Sequence, residues 1–245
     1  MTVLRSISPR CHLTIRWLLP VALGWLALVP SSPSARAAAG GASMPATGDS
    51  LGAELQRSLI WAPAEARPES AFLAFCRCFT LAAAPREAML HLFADARYLL
   101  WINGRYVLGG PARFEPDGPE YDSVDLARHL RTGPNCLVVL VLANHGTAIS
   151  GKMRRHRPGL TARLAVDGQA VLMTDPTWKW SDRTRYRTPA IDWANLTDRI
   201  DSRVEDGDWT QPGYDDRNWK PATAVAGTDW GPLTARRTPL LSGAQ

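Results

Sequence analysis

Residues Cys136–Ala143 read Cys-Leu-Val-Val-Leu-Val-Leu-Ala, eight apolar positions with no polar break. A strand with one face in water alternates, whereas a short unbroken run bounded by turn residues fits a strand buried on both faces. Further β signals recur at short intervals around it. Ala71–Leu81 carries Phe72, Phe75 and Phe79, and Glu87–Asp95 carries Met89, Leu90, Leu92 and Phe93. Arg97–Ile102 and Arg105–Leu108 flank Asn103-Gly104, while Leu160–Val166 and Gln169–Thr174 flank Asp167-Gly168. Both dipeptides are hairpin signals, because a type I′ turn needs positive φ at its two central residues. One short helix is predicted over Asp125–Arg131, capped by Asp125 and stopped at Gly133-Pro134. Nothing in the pattern suggests a long amphipathic helix. The expectation is an all-β chain, an antiparallel β-sandwich over residues 58–241 with Cys136–Ala143 as a central strand.

The first 37 residues read differently. Arg5, Arg10 and Arg16 precede an apolar run, residues 17–30, that is too short to cross a bilayer comfortably, and Ala35-Arg36-Ala37 fits an A-x-A cleavage site. This predicts a secretory signal peptide over 1–37 and a secreted or periplasmic protein with no membrane contact after cleavage. An uncleaved anchor is disfavoured by Pro20 and Pro30. Residues 38–57, rich in Ala, Gly and Ser, read as a flexible linker.

Removing the leader changes the charge. The whole chain has 28 basic and 23 acidic residues, but four arginines and no acid lie in 1–37, leaving 24 against 23. No nucleic-acid partner is expected from so balanced a surface, and the basic run Lys152–Arg157 reads as a solvated loop. Of the cysteines after the leader, Cys76 and Cys78 lie on one strand face, too far apart to bridge easily. One of them could pair with Cys136 if their strands are neighbours; otherwise all three are free thiols, and their spacing is not that of a zinc site.

Six of the ten tryptophans lie from Trp178 onward. Residues 209–222 hold Trp209, Tyr214, Asp215-Asp216-Arg217-Asn218 and Trp219. Asp216 suits the N-cap of a helical turn. That turn would aim Trp219 back onto the sandwich, with Trp209 as a second anchor.

Taken together, these segments resemble the N-terminal domain of bacterial α-L-rhamnosidases, a galactose-binding-like jelly roll ahead of the catalytic domain. The resemblance runs through Ala94-Asp95-Ala96-Arg97-Tyr98-Leu99-Leu100-Trp101-Ile102-Asn103-Gly104, then Gly110-Pro111-Ala112-Arg113, Tyr121-Asp122-Ser123-Val124-Asp125-Leu126, Gly133-Pro134-Asn135-Cys136-Leu137, Arg157-Pro158-Gly159-Leu160 and the Asp215-Asp216-Arg217-Asn218-Trp219 block. It implies a carbohydrate partner, including rhamnose-containing glycans, and a downstream catalytic domain in a complete enzyme. In that family two acidic residues in an (α/α)6 barrel hydrolyse the rhamnoside. No such barrel follows Arg236-Arg237-Thr238-Pro239-Leu240 in this sequence, and the scattered Glu residues show no acid–base pairing, so no catalytic residue is expected.

Sugar sites combine an aromatic platform with groups that hydrogen-bond hydroxyls. The carbohydrate-binding candidates are Asp95, Trp101, Arg113, Asn144, His145 and Arg157. Asp95 equally suits a turn and Trp101 a sandwich face; Asn144 and His145 stand out because a loop follows a buried strand there. No cofactor is expected. Ca²⁺ is the one ion for which oxygen-rich clusters exist, at Asp117, Glu120 and Asp122 and at Asp206 and Asp208.

Overall fold

A computed structural model describes residues 49–63, 70–112, 114, 117–144, 158–191, 196–204, 207–228 and 230–240, with backbone alone at 70–71, 144, 188–191 and 196–198. The chain divides into units Met1–Met44 and Pro45–Gln245, and the leader and its cleavage site lie outside the described residues. Among the described residues of the second unit, one α-helix, α1 (Ser50–Arg57), precedes fifteen strands. These are β1 (Ile60–Trp61), β2 (Ser70–Leu81), β3 (Ala88–Asp95), β4 (Arg97–Ile102), β5 (Arg105–Gly110), β6 (Glu120–Asp125), β7 (Gly133–Asn144) and β8 (Gly159–Val166). There follow β9 (Gln169–Met173), β10 (Lys179–Ser181), β11 (Tyr186–Ile191), β12 (Leu196–Ile200), β13 (Lys220–Pro221), β14 (Thr223–Ala224) and β15 (Thr234–Ala235).

Two sheets face each other. One runs β14-β1-β8-β3-β6-β15 with β9 added on β8, and the other runs β13-β10-β2-β7-β4-β5. Among the described residues every ladder is antiparallel except β6–β15. The all-β sandwich expected from the pattern is therefore present. Its core interleaves Leu73 and Phe75 of β2, Leu90 and Leu92 of β3, and Leu137, Val139 and Val141 of β7 with Trp61, Trp178 and Trp180.

Strand β7 is central, between β2 and β4, and both its faces are covered. Its alternate residues Cys136, Val138, Leu140 and Leu142 point away from the inter-sheet core, into a second cluster closed by Trp209 and Trp219. This is why the run carries no polar break. Both hairpins form as predicted: Asn103 and Gly104 have φ of 50° and 80°, and Asp167 and Gly168 have 47° and 81°.

Two predicted features differ. Residues 50–57, read as linker, form α1. Asp49 accepts the backbone N–H groups of Leu51 (3.1 Å) and Gly52 (3.0 Å), and Leu55 is buried against Leu59, Trp230 and Leu233. The helix expected over Asp125–Arg131 shrinks to a 3-10 turn at Ala127–His129, because Asp125 is drawn into β6 opposite Met89. Its carboxylate still accepts the Ala127 N–H (2.9 Å).

The family-type motifs meet at one buried carboxylate. Asp122 on β6 is fully buried, accepts the hydroxyl of Tyr98 from β4 in the opposite sheet (2.5 Å), and pairs with the Arg236 guanidinium (2.7 Å). A Cβ at Gly110 would strike both the Asp122 carboxylate and the Tyr98 hydroxyl, so the Gly of the Gly110-Pro111 element is a packing requirement. Asn103 braces the same sheet: its amide donates to His129 O (3.0 Å) and Asn135 Oδ1 (2.8 Å), and its carbonyl accepts the Cys136 N–H (2.9 Å). Asn135, itself fully buried, donates back to Arg131 O and Gly133 O. These polar groups are satisfied within the fold and so add rigidity.

Asp122→Ala removes the counter-charge of the part-buried Arg236 and strands the buried Tyr98 hydroxyl, and should destabilise the domain by about 3–5 kcal/mol, measured by denaturant unfolding. His91 supplies a pH dependence. Burial, and then the positive charge of Arg163, hold its pKa below the ordinary 6.5. The unfolded chain therefore takes up the proton first. Stability is full above pH 6.5 and is lost as the pH falls through that value and on through the folded-state value. The melting temperature should fall between neutral pH and about pH 5, the unfolded histidine titrating near 6.5, and His91→Gln should flatten that slope.

Candidate functional site

The C-terminal segment that covers β7 does not lie flat. Between it and the Asn103-Gly104 hairpin opens a cleft of about 480 Å³, with Trp101, Tyr186 and Trp209 on its walls. Trp101 is half-buried on β4 and meets Trp209 edge-on (5.7 Å, 71°) and Tyr106 likewise (5.9 Å, 67°). Tyr106 is 55% exposed and Trp209 6%, so the ring surface offered to solvent belongs to Trp101 and Tyr106 while Trp209 backs it.

Polar groups complete the rim. Arg185 is exposed, and its positive charge acts on Asp208. The Thr210 hydroxyl, bonded to the Asp208 carboxylate (2.5 Å), outweighs partial burial and holds that carboxyl below its ordinary pKa, so Asp208 is ionised at neutral pH. The rim is pinned to the hairpin by the Gly104 N–H donating to Thr210 O (2.9 Å). Gly104 is required twice over: its φ is +80°, and a Cβ there would collide with the Gln211 side chain. An aromatic wall beside one guanidinium and one carboxylate can hold a polyhydroxylated ring by stacking and hydrogen bonds. Among the described lining residues Asp208 is the one carboxylate, so they supply no acid–base pair for glycoside hydrolysis.

Of the sequence candidates, the side chains of Asp95 and Trp101 fall among the described residues, and these two lie apart. Trp101 lines the cleft. Asp95 is buried at the end of β3, opposite Gly159 and at the other end of β4 from Trp101. Asn144 ends β7 opposite Ser70, and its side chain, with Arg113, His145 and Arg157, lies outside the described residues. The Asp117, Glu120 and Asp122 cluster is not an ion cage: Glu120 holds Arg237 (2.6 Å) and Asp122 holds Arg236, while Asp206 lies outside the described residues. Among the described residues no group of three or more His, Cys, Asp or Glu side chains is placed to hold a metal. Arg185, Tyr186 and Asp208 were missed as partners of Trp101. The Asp208-Trp209-Thr210 spacing, which lets the carboxylate take the Thr210 N–H and hydroxyl, is a local signal for Asp208 alone.

The expected anchor is present with a different cap. Trp219 and Trp209 pack on Cys76, Cys136 and Val138, and the Trp219 N–H closes a turn on Asp216 O (2.9 Å). The Asp216 carboxylate instead reaches Lys179 on β10 (2.7 Å), and it is Asp215 that accepts the Arg217 N–H (3.2 Å).

A smaller cleft, about 220 Å³, lies where the chain leaves the sandwich, lined by Ser123, Arg236 and Arg237 with Thr238, Pro239 and Leu240. Among the described residues its lining includes no aromatic ring.

Comparison with known proteins places these features. The profile of the alpha-L-rhamnosidase N-terminal domain matches residues 83–240, well over half of the chain. The chain is 31% identical over 159 residues to an alpha-L-rhamnosidase of Streptomyces avermitilis, an alignment covering 58% of this chain and 14% of that protein. Among solved structures it is similar to a GH78 family rhamnosidase of Bacillus sp. GL1, with a TM-score of 0.64 and 32% identity over 74% of this chain and 20% of that one. The alpha-L-rhamnosidase of Dictyoglumus thermophilum shares the fold, with a TM-score of 0.62 and 18% identity over 76% and 23%. The chain thus spans a minor share of the length of each relative.

Trp219→Ala should destabilise the domain by about 3–5 kcal/mol, the usual effect of deleting a buried large aromatic, read from thermal or denaturant unfolding. An unchanged melting temperature would remove its role as an anchor.

Proposed function

The chain belongs to the family of alpha-L-rhamnosidase N-terminal domains, and from that membership we propose that it is a secreted, non-catalytic jelly-roll module of an α-L-rhamnosidase-like glycoside hydrolase. Its galactose-binding-like sandwich presents a glycan site in the cleft between Trp101 and Asp208. The observation that carries the reading is the composition of that cleft: the rings of Trp101, Tyr186 and Trp209 beside one guanidinium, Arg185, and one ionised carboxylate, Asp208. Such a lining favours sugar contact over bond cleavage, which needs a protonated acid and a base on opposite sides of the glycosidic bond. Export is supported by the arginines at 5, 10 and 16, the apolar run after them and Ala35-Arg36-Ala37.

A second reading is favoured by the lengths. The chain takes up 14% of the Streptomyces relative and 20% of the Bacillus one. On this reading it is a piece of an α-L-rhamnosidase that packs against a catalytic domain of the complete enzyme, with hydrolysis of terminal α-L-rhamnosides carried out there.

The purified chain should turn over an aryl α-L-rhamnoside no faster than background. On a glycan array containing rhamnosylated ligands, binding in the micromolar to millimolar range is expected, since few polar groups converge on the cleft. Trp101→Ala should weaken that binding about tenfold, or about 1.4 kcal/mol, with little change in melting temperature. Turnover that survives re-purification and falls on mutating a single Glu overturns the non-catalytic reading. Binding that ignores Trp101→Ala removes the cleft from it.

A further inference from the structure

Three thiols share one face of the β2–β7 pair. Cys76, Cys78 and Cys136 are all free, with Cys78 exposed and the other two buried. In the β2–β7 register Cys78 stands directly opposite Cys136, whereas Cys76 stands opposite Val138. What decides whether such a pair can bridge is which kind of antiparallel site it occupies. Side chains are closest at non-hydrogen-bonded pairs, where the Cα atoms lie about 4.5 Å apart.

The backbone of Cys136 settles this. Its N–H is taken by the Asn103 side chain (2.9 Å), and its carbonyl accepts the Asn103 N–H (3.0 Å). Both main-chain groups of Cys136 therefore point toward Asn103, the residue after β4, and away from β2. Relative to Cys78 the position is non-hydrogen-bonded. A Cα separation of about 4.5 Å falls inside the range that disulfides span, about 4.4–6.8 Å. Cys76 is the diagonal neighbour of Cys136, about 7–8 Å away and outside that range. Its thiol is instead directed at the Asp216 carboxylate (4.0 Å).

We propose that Cys78 and Cys136 form a cross-strand disulfide under oxidising conditions, a redox-formed staple between the two central strands β2 and β7. The exposed Cys78 is the attacking thiol. The Cys136 thiol donates to it and pulls its pKa below the ordinary thiol value, against a smaller opposing effect of burial. The Cys78 thiolate attacks a small-molecule or protein disulfide, forming a mixed disulfide and expelling one thiol. The Cys136 sulfur, losing its proton, then displaces the second thiol. Two S–H bonds become one S–S bond, and the oxidant disulfide is reduced to two thiols. The link ties residues far apart in sequence, so it restricts the unfolded chain more than the folded one.

The test is to hold the reduced full-length chain with oxidised glutathione and map its peptides by mass spectrometry without reduction. The expected result is one linked pair joining the Cys78 and Cys136 peptides, loss of two free thiols, and a melting temperature raised by about 5–15 °C that dithiothreitol reverses. Cys78→Ser, at an exposed position, should keep the strand-rich circular dichroism spectrum and abolish the link, while Cys76→Ser should leave the link intact. A folded chain that keeps both thiols overturns the proposal, and so does a link that runs through Cys76 or joins two chains.

Discussion

A carboxylate with no exposure to water cannot stand alone inside a β-sandwich, and Asp122 is such a group. It is tolerated because a hydroxyl arrives from the facing sheet and a guanidinium from the chain beyond β15. Those partners impose the rest. Tyr98 must come inward from β4, which fixes the alternation of that strand. Gly110 must lack a side chain, and Arg236 must lie over the sheet it has just left. The Arg-Tyr, Gly-Pro and Tyr-Asp elements, spread over residues 97–122, form one assembly around this carboxylate. Buried ion pairs of this kind add little net stability over apolar packing, yet losing one partner is costly. What this pair does in the fold is tie β6 to the facing β4 and to the chain beyond β15.

The outer face of the second sheet carries a different constraint. Because β7 is apolar on both sides, the fold needs a cover, and the segment bearing Trp209 and Trp219 supplies it. Lys179 holds that cover at Asp216, and Gly104 holds it at Thr210. Large aromatic rings joined edge to face do not make a flat lid. The cleft at Trp101 is the gap left where the cover turns away from the hairpin, which makes site and stability two uses of one segment.

Much of the sandwich was legible in the chain. Asn103-Gly104 and Asp167-Gly168 encode their turns locally, and the unbroken run Cys136–Ala143 encodes double burial. What was not legible depended on distant partners. α1 hides in an Ala/Gly/Ser-rich stretch because its helical character rests on one cap and on Leu55 meeting Trp230 and Leu233, far along the sequence. The Asp125 helix shortened because a strand partner, Met89, competed for the same residues. Asp216 was a sound cap by type but found a lysine on another strand. The site followed the same rule: Trp101 could be named alone, whereas Arg185 and Asp208 reach it by tertiary folding across about a hundred residues.

Arg236 and Arg237 are neighbours with opposite fates. Arg236 is sunk onto Asp122, and its guanidinium also donates to the carbonyls of Thr238 (2.7 Å) and Pro239 (3.2 Å), so it shapes the turn of chain that follows it. Arg237 pairs with Glu120 at 2.6 Å, its own side chain 87% exposed while the Glu120 carboxylate is buried. The first arginine is held inside the fold, whereas the second neutralises a buried carboxylate from the solvent side. The polar groups of this domain thus divide into an internal network that fixes the sheets and a sparse set nearer the surface, at the Trp101 cleft and at Arg237.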